Sequence, residues 1–228
     1  MSQPTQRRRR HSVVLAGLLG TTVLAVTAGL SLGGFSAGIT NPNNSFSSGT
    51  VVLKEAAGAT QCFSTGAGTT VTATNTAACT TIDDFGGAIN QGPGSPVNTQ
   101  SLALSNVGTI NGATFTVTPS ACTAAGAANT APYAGSDTAG FCGKVDVTIQ
   151  NDTTGTPSCV YPAGAGACPA LGSTKTLATL GAAGALTLGA LPAGSTDTFT
   201  VKTQIDASAT NIDQGLAASV PFSWVLNQ

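Results

Sequence analysis

Lys144-Val145-Asp146-Val147-Thr148-Ile149-Gln150 alternates polar and apolar residues without a break. Successive side chains of an extended chain point to opposite faces, so this spacing buries Val145, Val147 and Ile149 and leaves the others wet. The same period of two recurs elsewhere in the chain. It places Leu102 with Leu104, Phe115 with Val117, Phe199 with Val201 and Ile205, and Val220 with Phe222, Trp224 and Leu226. Weaker strands are predicted over Phe46 to Lys54, Thr69 to Thr74, Lys175 to Leu180 and Ala185 to Leu188.

Turn-forming residues separate these runs. Asn106 to Gly112 is predicted to fold Leu102–Leu104 back onto Phe115–Val117, and Leu191-Pro192-Ala193-Gly194-Ser195 to return Leu186–Leu188 onto Phe199–Val201. Three stretches read as long loops: Gly86 to Asn98, Ala121 to Gly143, and Asp152 to Gly172. Low-complexity Leu-Gly-Ala phrases over 180 to 190 leave room for a short helix. Thr, Ala, Gly, Ser and Val dominate while straight-chain charged helix formers are nearly absent, which disfavours long amphipathic helices. The expected fold class is all-β, a two-sheet β-sandwich of jelly-roll type with long loops.

The N-terminus has a different character. Arg7 to Arg10 precede an uncharged apolar stretch from Val13 to about Leu32, followed by Gly33-Gly34-Phe35-Ser36-Ala37-Gly38. A cationic region, an apolar run and small residues form the order of a secretory signal peptide. Residues 1–37 are therefore expected to be a hydrophobic signal helix, cleaved near Ala37 or alternatively at Ala28. A twin-arginine route fits less well, because His11 and Ser12 stand where that motif wants an apolar pair. The protein is expected to be secreted or displayed at the cell surface, touching the membrane only through an uncleaved signal segment. No cell-wall sorting pattern occupies Trp224 to Gln228, so attachment is expected through assembly or that uncleaved segment.

Past residue 37 the chain carries four lysines against Glu55 and eight aspartates, a formal net charge of −5, and no histidine. Four scattered lysines cannot form the basic face that phosphate neutralisation needs, which excludes nucleic acid as a partner. The six cysteines, Cys62, Cys79, Cys122, Cys142, Cys159 and Cys168, all lie in the exported part. An even number in an oxidising compartment reads as disulfides rather than as a metal site, since no tight Cys pair or histidine is present. We expect sequential pairing, Cys62 with Cys79, Cys122 with Cys142 and Cys159 with Cys168, each bracketing a loop-like stretch.

The shortage of titratable groups also narrows the chemistry. Without histidine there is no Ser-His-Asp, Cys-His or His-Glu-x-x-His arrangement, and we expect no catalytic centre, cofactor or metal. Asp83-Asp84 is the most conspicuous carboxylate pair, but adjacent residues of a strand face opposite ways, so the two must sit in a turn. Calcium ligation by Asp83 and Asp84, or by Asp206 with Asp213, is the remaining cation option. Trp224 shares an alternating face with Val220, Phe222 and Leu226 and is expected in the core rather than as a stacking platform. Tyr133 and Tyr161 lie in loops beside cysteines, where they could contact a partner or cover a disulfide.

Two separated stretches carry a resemblance. Gly33 to Ala37 followed by Phe46-Ser47-Ser48-Gly49-Thr50-Val51-Val52-Leu53 resembles the start of the TasA and camelysin family of exported matrix-fibre proteins. Leu191-Pro192-Ala193-Gly194-Ser195, Phe199-Thr200-Val201, Asn211-Ile212-Asp213-Gln214-Gly215 and Phe222-Ser223-Trp224 are similar to that family's closing pattern. The resemblance covers about a third of the chain. It implies a jelly-roll subunit, a dedicated signal peptidase and polymerisation by donor-strand exchange, with self-association into filaments as the main partnership. The division it suggests is 1–37 signal, 38–53 donor segment and 54–228 sandwich, with Gly38, Phe46, Val51 and Leu53 as polymerisation candidates. Other matrix proteins or surface glycans are further expected partners. A monomeric surface binding module for a glycan or protein is the alternative. The peptidase activity ascribed to some relatives is not carried over, because its histidines are missing.

Overall fold

The computed structural model describes residues 47–228 apart from positions 73, 89, 131, 132, 154, 173 and 174. The signal segment, Gly38 and Phe46 lie outside the described residues. The chain divides into two compact units, Met1–Ser47 and Ser48–Gln228, and the second carries the fold.

That unit is all-β with several antiparallel sheets. The largest has six strands in the order β2-β1-β3-β9-β6-β7. Its members are β1 (Leu53–Ala57), β2 (Thr60–Phe63), β3 (Asn98–Asn106), β6 (Val145–Asn151), β7 (Ser158–Tyr161) and β9 (Thr196–Ile205). A three-stranded sheet joins β11 (Phe222–Asn227), β4 (Gly112–Pro119) and β8 (Leu186–Leu191), and β5 (Thr123–Gly126) pairs with β10 (Leu216–Ser219). Between the large sheet and the three-stranded one lies a sandwich-like core. Leu102, Leu104, Val147, Ile149, Phe199 and Val201 come from the first, and Phe115 and Leu191 from the second, all buried. All but Leu191, which the sequence places in a turn, are apolar positions of the period-two runs; Asp146 and Thr148, expected to be wet, are buried as well, with Asp146 bridged to Thr176, so the second face of β6 is covered too. Phe115 and Phe199 meet edge-on across the sheets at 6.3 Å, a geometry their ring quadrupoles favour.

Both predicted turns behave differently from expectation. Asn106 to Gly112 does not fold β3 back onto β4, because β3 pairs with β1 and β9 while β4 pairs with β11 and β8. Leu191 to Ser195 likewise carries the chain from β8 in one sheet to β9 in the other. The two turns are sheet crossings, and they lie side by side. The Asn106 backbone N–H donates to Ser195 O at 3.0 Å, and Gly194 N–H returns a bond to Asn106 O at 2.8 Å.

Three weaker strand predictions also change. Lys175 to Leu180 is helical over its greater part, as α1 (Leu177–Gly181). Thr176 caps the helix, and Leu177 and Leu180, three residues apart, both bury their side chains. Spacing of three with a Thr cap outweighs the β propensity of the threonines. Thr69 to Thr74 forms no strand among its described residues, Ser47 to Val52 forms none either, and the first strand among the described residues starts at Leu53; Phe46 lies outside them. Ala185 to Leu188 does become a strand, β8, and the long loops after Ala121 and Asp152 contain the short strands β5 and β7.

All three disulfides form with the expected partners. Cys62–Cys79, Cys122–Cys142 and Cys159–Cys168 have Cα separations of 5.8, 6.1 and 4.6 Å. The first ties β2 to the loop that follows it, the second ties the residue just before β5 to the 3-10 turn Phe141–Lys144, and the third ties β7 to its own trailing loop. Three intramolecular disulfides are compatible with an extracellular location.

Candidate functional site

The core is not closed on every side. β11 is an edge strand, hydrogen-bonded to β4 on one side and to no other strand among the described residues. Its apolar face carries Phe222, Trp224 and Leu226, and all three are half-buried. The adjacent β4 residues Phe115 and Val117 are fully buried. The difference arises because a groove of about 1320 Å³ runs beside β11. Its other wall comes from Val51, Leu53 and Glu55 on the β1 side, and from the loop that Cys62–Cys79 fastens, with Val71, Ile82, Asp84 and Phe85.

Aromatic rings form the floor. Trp224 lies 5.5 Å from Phe199, 6.0 Å from Phe115 and 6.0 Å from Phe222, and Phe222 meets Phe85 edge-on at 5.5 Å. Trp224 packs against the core, as expected, and also lines the open groove. Its Nε1 is shut off from water without a hydrogen-bond partner at standard geometry.

A carboxyl pair stands in this apolar setting. Glu55 opposes Leu104 across β1 and β3, in phase with Leu53 and Ala57, which pack against the core. The alternation of β1 therefore turns its carboxylate inward, and Lys54 and Ala56 turn the other way. Asp84 reaches the same place from the turn Asp83–Gly86, which a Gly86 N–H to Asp83 O bond closes at 2.9 Å. Asp83 stays exposed and accepts the Phe85 N–H through Oδ1 at 2.9 Å. The side-chain amide of Asn98 donates to Phe85 O and anchors the turn to β3. So the Asp83-Asp84 pair does occupy a turn, and the turn splits it: Asp83 builds the loop and stays exposed at the groove's rim, while Asp84 is half-buried within the groove.

Glu55 Oε1 is buried with no hydrogen-bond partner at standard geometry, with the Asp84 carboxyl and the Trp224 indole as its polar neighbours. Burial pushes the Glu55 carboxyl up to about 8, and the negative charge of Asp84 adds to the rise. Burial also raises Asp84. Two carboxyls held together away from water cannot both ionise cheaply, so near neutral pH the pair holds one proton between them.

The remaining candidates are dispersed. Asp206 accepts the Ser208 N–H at 2.7 Å, and Asp213 accepts the Thr210 N–H at 2.7 Å, so each closes its own local turn. No group of three or more potential metal ligands occurs among the described residues. Tyr133 is 82 % exposed, whereas Tyr161 is buried. Leu53 is a β1 residue packed on its own core, and Val51 O accepts the Asn75 side-chain amide at 2.6 Å. Ser47 to Val52 leads into β1 without being a strand, held by Val107 N–H to Val52 O at 2.9 Å and Thr109 N–H to Thr50 O at 2.8 Å.

Sequence reading missed Glu55. Its signal was phase: the predicted strand ended at Lys54, one residue short, and extending it would have put the only glutamate between two inward positions. No family model matches the chain, and no curated protein matches it significantly.

Proposed function

We propose that the chain is a secreted, non-enzymatic structural subunit that assembles into extracellular surface or biofilm-matrix fibres by donor-strand exchange. The observation that carries this reading is the open edge of β11 beside the 1320 Å³ groove. An unpaired edge with a half-buried apolar face is a template for a strand from another chain. The sheets then read as a jelly roll whose β11 edge is completed by a neighbour.

The occupant is the segment from Gly38 to Ser48 of a second copy. In extended form about ten residues reach ~33 Å, and six residues of β11 span ~20 Å, so the segment is long enough to run the whole edge. Phe46 supplies an apolar anchor for the groove beside Trp224. Because Thr50, Val52 and Leu53 are bonded within their own domain, the proposed donor is the segment before them. The order of motifs shared with the TasA and camelysin pattern supports the same reading.

Negative-stain microscopy and size-exclusion chromatography of the exported protein test it. Filaments that vanish when Gly38 to Asn44 are deleted are the expected result. Filaments that persist after the deletion overturn the donor assignment, and a persistent monomer that binds a glycan array favours a surface binding module instead.

A further inference from the structure

The groove beside β11 is lined by apolar and hydroxyl side chains, with three ionisable ones among the described residues: Glu55, Asp83 and Asp84. Among the described residues no lysine or arginine lines it. Lys54 projects from the opposite face of β1, and neither β2, β3 nor β11 carries a titratable side chain apart from the disulfide-bonded Cys62. The segment Gly38 to Ser48 is also without a charged side chain. A strand laid along β11 would remove water from Glu55 and Asp84 and bring no side-chain cation to neutralise them.

We propose that the Glu55–Asp84 pair is a proton switch on this groove: an incoming strand closes over the pair when it holds a proton and is rejected when both carboxyls are ionised. The inference rests on the strand-exchange reading and adds its regulation. The physical reason is the cost of two like charges without a counter-ion in a dry, apolar contact. The position of Glu55 places the effect where it matters, since its carboxyl shares the core-facing side of β1 with Leu53 and Ala57 and lies next to the Trp224 indole of the edge strand.

The sign follows from linkage. In the open groove Glu55 already titrates near 8, and further desolvation on strand entry moves it higher. Strand entry therefore takes up a proton above that pH and takes up none well below it. Through Glu55, affinity between subunits is flat well below pH ~8 and falls about tenfold per pH unit above it, the slope of a single linked proton. In a cell-free setting this makes an alkaline medium a release signal and acidification a signal to assemble.

The experiment measures the critical concentration for filament formation of the exported protein from pH 5 to pH 10, beside the Glu55→Gln and Asp84→Asn variants. Circular dichroism on each sample confirms the fold. The switch predicts a rise of about tenfold per unit above pH ~8 in the parent, and a profile at least tenfold flatter between pH 8 and 10 in Glu55→Gln, whose neutral amide mimics the protonated acid. Asp84→Asn is expected to shift the onset of the rise toward lower pH, because removing the neighbouring charge lets Glu55 ionise sooner. Filaments with the same critical concentration at pH 6 and pH 10, or an unchanged slope in Glu55→Gln, overturn the switch and leave strand exchange standing. No filaments at any pH overturn both.

Discussion

The side-chain amide of Asn106 donates to the carbonyl oxygen of Leu191 at 3.0 Å and to that of Ile110 at 2.8 Å, from a position with no solvent exposure. Its Oδ1 accepts the Gly108 N–H at 3.1 Å. One residue thus joins the two crossings between the sheets, which are otherwise 85 residues apart in sequence. Asn106→Ala removes the partner of the buried Leu191 carbonyl and of the part-buried Ile110 carbonyl and Gly108 N–H. The expected loss is about 3 kcal/mol of unfolding free energy, measured by denaturant titration with the disulfides intact. A change below about 0.5 kcal/mol would show that water replaces the amide.

Gly108 lies inside the first crossing, and a Cβ there would collide with the carbonyl oxygen of Thr50. That carbonyl accepts the Thr109 and Ile110 N–H groups and holds the lead-in segment on the domain. Gly108→Ala is expected to free Ser48 to Val52 without unfolding the sheets. Hydrogen exchange should speed up at Thr109 and Ile110 while protection of β3 and β9 stays within a factor of about two of the parent, because local openings are independent of global ones.

Cys62–Cys79 and Cys122–Cys142 close loops of similar length, with sequence separations of 17 and 20. Replacing either pair by serine should therefore cost a similar amount, about 3 kcal/mol from unfolded-chain entropy. Their functional effects should differ. Only the first fastens a wall of the groove, so Cys62→Ser/Cys79→Ser is expected to increase proteolysis between residues 64 and 82 and to raise the critical concentration for assembly. Equal assembly defects in both variants would argue against the groove.

Glu55 also makes the stability of the isolated domain depend on pH. Its folded carboxyl titrates near 8, against an ordinary value of 4.5, so the fold prefers it protonated. The contribution is fully present below about pH 4.5 and is lost as pH rises through about 8. Burial raises Asp84, Asp146 and Asp197 as well, which adds in the same direction. Asp206, held low by its hydrogen bonds to Ser208, acts in the opposite sense from an exposed position. The denaturation midpoint should fall from pH 5 to pH 8.5, and Glu55→Gln should remove the larger part of that fall.

Trp224 is the sole tryptophan, so its emission reports on the groove alone. Covering the half-buried indole with a second chain should shift the emission to shorter wavelength on assembly, and the Gly38–Asn44 deletion should keep the monomer spectrum. Trp224→Ala removes contacts with Phe115, Phe199 and Phe222 and is expected to cost about 3 to 5 kcal/mol, read from thermal or chemical unfolding.

Much of this molecule follows from local pattern. Period-two alternation at Leu102–Leu104, Phe115–Val117, Val145–Ile149 and Phe199–Val201 determined which side chains fill the core, because a pleated strand leaves each of them one face to choose. Sequential disulfide pairing was legible for a related reason: cysteines that bracket a single loop are brought together by that loop, without help from distant elements. What the tertiary structure alone decided was how strands associate and where the core stays open. Asn106 to Gly112 has the composition of a hairpin turn, yet it crosses between sheets, since the partners of β3 are β1 and β9, one of them 90 or so residues away. Leu177 to Gly181 became a helix because Leu177 and Leu180 could reach one apolar surface only at helical spacing. The meeting of Glu55 with Asp84 beside Trp224 belongs to the same class. Glu55 and Asp84, from a strand and a turn, acquire shifted titration beside Trp224 only when folding removes their water, and no local pattern encodes that loss.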